Sequence, residues 1–432
     1  MMHEPPGRRR WAIAALLGGG VVVSYFDRII LAAAAPAIQR DFRIDDFAMG
    51  FLLGAFGWTY GALQVPVGVL LDRIGVRRVM IGSILLWAAA SFLASEAIGF
   101  ATMFAARMML GVAEAPTFPA NAKAIGYWFP RTERSLATAL FDGAAKFSNV
   151  IAIPAIAFLA LEVGWRKAFV ATAILSLCYL LLFARIYRDP GLDPRLGPSE
   201  RAYIAEGGGA AEGLARSRGL ALLGYLLLRR KMWGLALGFG CYNYAFSFFI
   251  TWLPTYLARE MKMDPLSSAG FAIIPWMFAT LADLLVGGWL IDHLVRRGRD
   301  ETIVRKSIIV LGMVTALFVI GAAFTDDARW ALLWITVSLS GLAAAAPASW
   351  SLPSLIAPVG GAGTIGGMMN FVGSLAGAVA PALTGLIVAQ SRSFSGAFLL
   401  AGAVLAVGLV SFTLVMGPIA PIPEREQRRH RN

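Results

Sequence analysis

Long apolar runs separated by short polar turns dominate the chain. Six are read at 11–38, 47–71, 79–97, 99–125, 135–161 and 165–187. Six more follow at 232–258, 267–291, 304–324, 328–356, 362–390 and 394–417. Each is long enough, at about 1.5 Å per residue, for a helix to cross the roughly 30 Å of hydrocarbon in a bilayer. The polar stretch between the two sets carries Pro190, Pro194, Pro198, Gly207-Gly208-Gly209 and many arginines, the composition of a linker. The pattern predicts an all-α integral membrane protein of twelve transmembrane helices in two six-helix halves. The halves span 1–190 and 232–417, joined by a cytoplasmic linker at 191–231 and followed by a basic tail at 418–432.

Composition supports this reading and narrows the chemistry. Hydrophobic residues make up 58% of the 432, charged residues only 15%, and the mean hydropathy is +0.68. Soluble chains carry about 25% charged residues. A cytosolic enzyme, a nucleic-acid binder and a secreted disulfide scaffold are thereby set aside. Cys178 and Cys241 both lie inside apolar runs, and His3, His293 and His430 do not cluster. No metal site, cofactor or catalytic constellation is expected, and the chain is not read as an enzyme. The first run follows Arg8-Arg9-Arg10 as a signal peptide would. It is too long for one and is interrupted by Asp27 and Arg28, so a retained first helix is expected.

The net charge of +12 comes from 38 Lys+Arg against 26 Asp+Glu, and its placement matters more than its size. Arginines gather in the N-terminal arm, in the 2–3 turn (Arg73, Arg77, Arg78) and in the 4–5 turn (Arg131, Arg134). They gather again in the 8–9 turn (Arg296, Arg297, Arg299) and in the tail (Arg425, Arg428, Arg429, Arg431). The 3–4 turn has no Lys or Arg; the 5–6 turn, with Arg166 and Lys167, is the exception. Positive charge stays on the cytoplasmic side, so a bacterial-type inner membrane with both termini cytoplasmic is expected.

One segment occurs twice. Run 2 ends Gly68-Val-Leu-Leu-Asp72-Arg73-Ile-Gly75-Val-Arg77-Arg78, and run 8 ends Gly288-Trp-Leu-Ile-Asp292-His-Leu-Val-Arg296-Arg297-Gly298. The glycine lets a neighbouring helix approach closely, and the aspartate is suited to cap or pair with a helix end. Gly68, Asp72, Arg73, Gly288 and Asp292 are therefore expected to gate the molecule. A purely topogenic basic turn is the alternative.

This paired motif resembles the signature of the major facilitator superfamily, and the resemblance covers the whole chain. Four further motifs are similar to its anion:cation symporter family, whose members include galactonate, hexuronate, glucarate, tartrate, phthalate and sulfoacetate permeases and sialin. They are Tyr25-Phe-Asp27-Arg28 in run 1 and Arg107-Met-Met-Leu-Gly111-Val-Ala-Glu114-Ala-Pro116 in run 4. The others are Thr251-Trp252-Leu253-Pro254-Thr-Tyr256-Leu257 in run 7 and Gly366-Gly-Met-Met-Asn370-Phe-Val-Gly373 in run 11.

Ionisable groups at membrane depth cost roughly 2.5–3.5 kcal/mol each on insertion scales and persist when paired or functional. Here they are Asp27, Arg28, Arg107, Glu114, Asp142, Lys146 and Asp283, and all but the last lie in the first half. Arg28 and Arg107 are the natural anion ligands, because a guanidinium binds carboxylate or sulfonate bidentately and holds its charge. The resemblance favours Arg28. It implies that Asp27 and Glu114 carry the coupled proton, and that Tyr60 donates a hydrogen bond to the anion. A permanent salt-bridge network is the alternative for the carboxylates.

Asn370 is suited to a substrate oxygen or to gluing helices together. Lys146 departs from the sugar-acid members, which usually have a neutral residue near it. It either pairs with Asp142 four residues earlier or binds a second anionic group. Asp283 receives no role. The expected function is import of a small organic anion by proton symport with alternating access. A dianion such as sulfoacetate or a dicarboxylate is preferred. A sugar-acid symporter and an organic-anion exchanger or uniporter remain alternatives. The expected partners are the anion, the proton and the lipid bilayer, without nucleic acid, and a monomer is the expected unit.

Overall fold

A computed structural model describes residues 7–44, 46–209, 220–262, 265–325, 327–358 and 361–423. The first half comprises α1 (Arg9–Phe42), α2 (Asp46–Ile74), α3 (Val76–Ser95), α4 (Phe100–Glu114), α5 (Thr117–Trp128), α6 (Arg134–Glu162) and α7 (Trp165–Ile186). Two short helices follow in the connection, α8 (Pro198–Glu206) and α9 (Leu220–Leu227). The second half comprises α10 (Arg230–Arg259), α11 (Pro265–Ala282), α12 (Ile291–Arg296), α13 (Glu301–Ala316), α14 (Ala328–Ile356), α15 (Ala362–Ser391) and α16 (Ser395–Val410). A π-helical stretch, Asp283–Leu290, joins α11 to α12 in one rod. A 3₁₀ stretch, Leu317–Phe324, prolongs α13.

Among the described residues, eight helices are by themselves long and apolar enough to cross a membrane. The other four expected crossings are helical too: α2, α6, α10, and α4 with α5. The predicted run 99–125 is thus two helices. Pro116 follows the end of α4; it has no N–H to continue the ladder, and its ring crowds the carbonyl four residues back. Apolar side chains such as Leu181, Leu311 and Leu414 are exposed on the outer helices, where lipid is their solvent.

Within the first half, α1 packs along α6 and α3 along α7; within the second, α10 packs along α15 and α13 along α14. The halves meet where α2 lies on α15 and where α6 lies on the α11–α12 rod. The connection is more structured than a linker composition suggests. Arg10 donates to Glu133 at 2.7 Å and to Glu200 of α8 at 2.9 Å, and Arg9 pairs with Asp193 at 2.9 Å. The Tyr203 hydroxyl donates to Glu133 at 2.8 Å. The arm arginines therefore also tie α1 and the 4–5 turn to the connection. Burial and the adjoining Glu133 push the Tyr203 phenol above its ordinary range. The tail arginines, Arg425 onward, lie outside the described residues.

Candidate functional site

A chamber of about 670 Å³ lies between the halves. One wall carries Tyr25 and Arg28 of α1, Tyr60 of α2, Phe118 of α5, and Asp142 and Lys146 of α6. The facing wall carries Tyr242, Asn243 and Ser247 of α10, Trp350 of α14, and Asn370 and Ser374 of α15. The first wall holds the charge; the second holds aromatic rings, amides and hydroxyls.

Arg28 is the centre of the charged wall. Its Nε donates to Glu114 Oε2 at 2.6 Å, and its side chain keeps 20% exposure while the glutamate has none. The guanidinium sits 4.9–5.0 Å from the ring centroids of Tyr25, Phe56 and Tyr60. Such a cage orients a planar cation without neutralising it. Among the described residues, one guanidinium nitrogen, Nη2, and Glu114 Oε1 are buried without a hydrogen-bond partner. The site thus contains an unspent donor and an unspent acceptor, each costly to leave unmade.

Asp27 and Arg107 lie one layer behind. Asp27 is fully buried and accepts hydrogen bonds from Ser91 at 2.6 Å and Ser176 at 3.0 Å. Arg107 donates to the backbone carbonyl of Asp27 at 2.9 Å and does not line the chamber among the described residues. The reading of Arg107 as a direct ligand therefore needs correction in this state: its guanidinium faces α1 backbone and the Phe56 ring, 5.6 Å away.

Lys146 does line the chamber, but not as a free cation. Its Nζ donates to Asp142 at 2.7 Å and to Asp283 at 2.5 Å, and it is 1% exposed. The pairing with Asp142 is present, and Asp283 of the other half is a further carboxylate on the same ammonium. Asn370 bridges the halves differently. Its Nδ2 lies 2.8 Å from Gln64 Oε1 and 3.2 Å from the Tyr60 hydroxyl.

Below the chamber, toward the basic turns, the repeated motif forms two reciprocal contacts. Asp72 of α2 accepts from the backbone N–H groups of Gly363 (2.9 Å) and Thr364 (2.7 Å) at the start of α15. It also accepts from the Thr364 hydroxyl at 2.6 Å and from Lys123 at 2.7 Å. Asp292 of α12 accepts from the backbone N–H groups of Ser135 (3.1 Å) and Leu136 (2.7 Å) at the start of α6. Each half thus offers an aspartate to a helix N-terminus of the other, where unpaired N–H groups and the helix dipole favour an anion.

The glycines fit the same scheme. A Cβ on Gly68 would stand 2.4 Å from the Gly363 carbonyl, and one on Gly288 would stand 2.8 Å from Ala139. Arg73 is not part of the contact: it is exposed at the end of α2, and the cation at the clamp is Lys123 of α5. Lys123 was missed from the sequence, as was Arg305, which is buried and donates to the Arg131 carbonyl at 2.7 Å and to the Ser135 and Ser351 hydroxyls. The signal for Lys123 was present: a lysine in an otherwise uncharged stretch of run 4.

Comparison with known proteins adds a family context to this geometry. The Major Facilitator Superfamily profile matches residues 17–381. The uncharacterized transporter YybO of Bacillus subtilis is 36% identical over 418 residues, 96% of either chain. The D-galactonate transporter of Escherichia coli is 31% identical over 96% of this chain and 97% of its own. The probable sulfoacetate transporter SauU of Cupriavidus necator is 30% identical over 94% of this chain and 93% of its own. Among solved structures, the proton:xylose symporter XylE bound to 6-bromo-6-deoxy-D-glucose has a TM-score of 0.73 at 16% identity, covering 95% of this chain and 96% of that one. That likeness speaks for the fold.

Proposed function

Because this chain belongs to the major facilitator superfamily, we propose that it is a secondary transporter that imports a small organic anion together with protons. The observation that carries this reading is Arg28, held at the chamber wall by Glu114 with one guanidinium nitrogen unpaired. Relatives named for galactonate and for sulfoacetate support the anion class.

The coupling follows from charge. While Glu114 is ionised, Arg28 is already matched, and an entering anion meets a neutral pair. Once Glu114 takes a proton, the guanidinium stands unmatched in a cage of rings. At an effective dielectric near 20, a unit-charge contact at about 4 Å amounts to about 4 kcal/mol, or roughly a thousandfold in affinity. Asp27, fixed by Ser91 and Ser176 behind the same helix, is the second carboxyl proposed for proton movement, and Arg107 positions it through the α1 backbone.

The Asp72 and Asp292 clamps join the halves on the side of the basic turns. We read that face as cytoplasmic, so this is the state that receives substrate from outside. Loading, rocking of the halves and release of the clamps then deliver anion and proton inward. The preferred substrate is a dianion such as sulfoacetate or a dicarboxylate, with one acid group on Arg28 and the other toward Lys146. A sugar acid is the second reading, favoured by the amides and hydroxyls of Asn243, Ser247, Asn370 and Ser374 on the facing wall.

The test is uptake of sulfoacetate, tartrate and galactonate by purified protein in liposomes with an imposed pH gradient. Accumulation of at least one anion driven by outside acid is expected. Uptake indifferent to the gradient would sink symport, and counterflow without proton movement would establish exchange in its place.

A further inference from the structure

We propose that Asp142, Lys146 and Asp283 form a second proton-binding site, whose protonation frees Lys146 for the second acid group of a dianionic substrate. The inference rests on the anion-symport reading and adds to it a second proton path on the opposite side of the chamber from Glu114.

The geometry sets the charge balance. Two carboxylates share one ammonium, at 2.7 and 2.5 Å, and the side chains are 7%, 0% and 1% exposed for Asp142, Asp283 and Lys146. Fully ionised, the cluster carries a surplus negative charge at membrane depth, where an unmatched charge is expensive. The groups around it do not offset that surplus. Tyr25 of α1 and Tyr242 of α10 line the same chamber beside the cluster and bring no cationic group to it. Along the rod, α11 carries no ionisable residue, and α14 carries only Arg329, in its first turn. Arg28 is engaged by Glu114.

Among the described residues Asp283 Oδ1 is buried without a hydrogen-bond partner, and the Asp142 and Asp283 carboxylates converge on one ammonium. A proton held between these two carboxyls removes the surplus and is the resting state. A second proton, taken from the outer side, neutralises both carboxyls. Lys146 is then an unmatched cation on the chamber wall.

The location suits a coupling element. Asp142 and Lys146 stand on α6 of one half, and Asp283 stands on the rod of the other, so the ion pair crosses the interface along which the halves move. Asp283 is also the first residue of the π-helical stretch, an irregularity found most often at functional positions. The arithmetic is then the same on both sides of the chamber: a neutral cluster, a proton, an acid group. A dianion travels with one proton more than a monoanion, beyond what Glu114 and Asp27 carry.

Two measurements on full-length protein test this. The first is calorimetric titration with sulfoacetate, tartrate and galactonate in buffers of different ionisation enthalpy. Wild type should take up about one proton more per dianion bound than per galactonate. The D142N/D283N double variant should take up equal numbers for dianion and galactonate, because its lysine is already unmatched. If that variant does not fold, Lys146→Gln should give the same equality, since no second acid group is held. The second is infrared spectroscopy of ligand-free protein. Wild type should show a carboxylic C=O band that D283N and D142N each lack.

Equal proton counts for dianion and monoanion in wild type, or a band untouched by both single substitutions, would overturn the second site. Loss of all proton uptake in wild type would overturn the symport reading instead, and the infrared result would still decide the cluster.

Discussion

Arg28 is held by one strong ion pair and three rings, and the two kinds of contact make separable predictions. Arg28→Lys keeps the charge but loses the planar fork and its stacking against Tyr25, Phe56 and Tyr60. Anion uptake in liposomes should fall by about tenfold or more, with KM rising, because the lost contacts are substrate contacts. Glu114→Gln removes the titrating group but leaves a neutral partner for Arg28. It should retain anion counterflow and take up about one proton fewer per anion bound; unchanged proton uptake would remove Glu114 from the coupling. Polar residues inside apolar runs made Arg28, Glu114, Tyr60, Lys146 and Asn370 legible in the sequence. Rotation about the helix axis was not legible. Asp27 adjoins Arg28 in the chain, yet it points away from the chamber to Ser91 and Ser176. Arg107 is likewise at the right depth and one layer too far back.

The helices were placed by their apolar lengths, and their irregularities were not. The break at Pro116 and the π-helical stretch from Asp283 both sit where ionisable side chains enter the interface, and neither alters the hydropathy of its run. The glycines of the repeated motif were legible because they recur, and their close approach is testable. Gly68→Val and Gly288→Val each place side-chain atoms where the partner helix already has atoms, 2.4 Å and 2.8 Å from a new Cβ. Each should hold the basic face apart. Spin labels at the exposed Arg73 and Arg297 positions should then report a longer distance than in wild type. An unchanged distance would mean that the helices part without consequence for the gate.

Across the assembled bundle, the halves are fastened twice by the same device used in opposite directions, Asp72 to α15 and Asp292 to α6. Hydrogen bonds to a buried charge contribute about 1.5–3 kcal/mol each, so either clamp alone holds the closed face appreciably. Asp72→Asn and Asp292→Asn should each shift the spin-label distances only in part. The pair of substitutions together should open the basic face far more than either. If either single change opened it fully, the clamps would not be independent. The twofold recurrence was legible from the chain, and the partner of each aspartate was not, because a helix N-terminus presents main chain and leaves no residue signature.

That property of the clamps has an evolutionary side. A lock whose socket is main chain does not erode when side chains drift. At the tip of α15 the freedom is narrower, because the Thr364 hydroxyl also enters the contact and a side chain at Gly363 would meet Asp72. The chamber above is nonetheless at liberty to be refitted for a new cargo without redesign of the door beneath it.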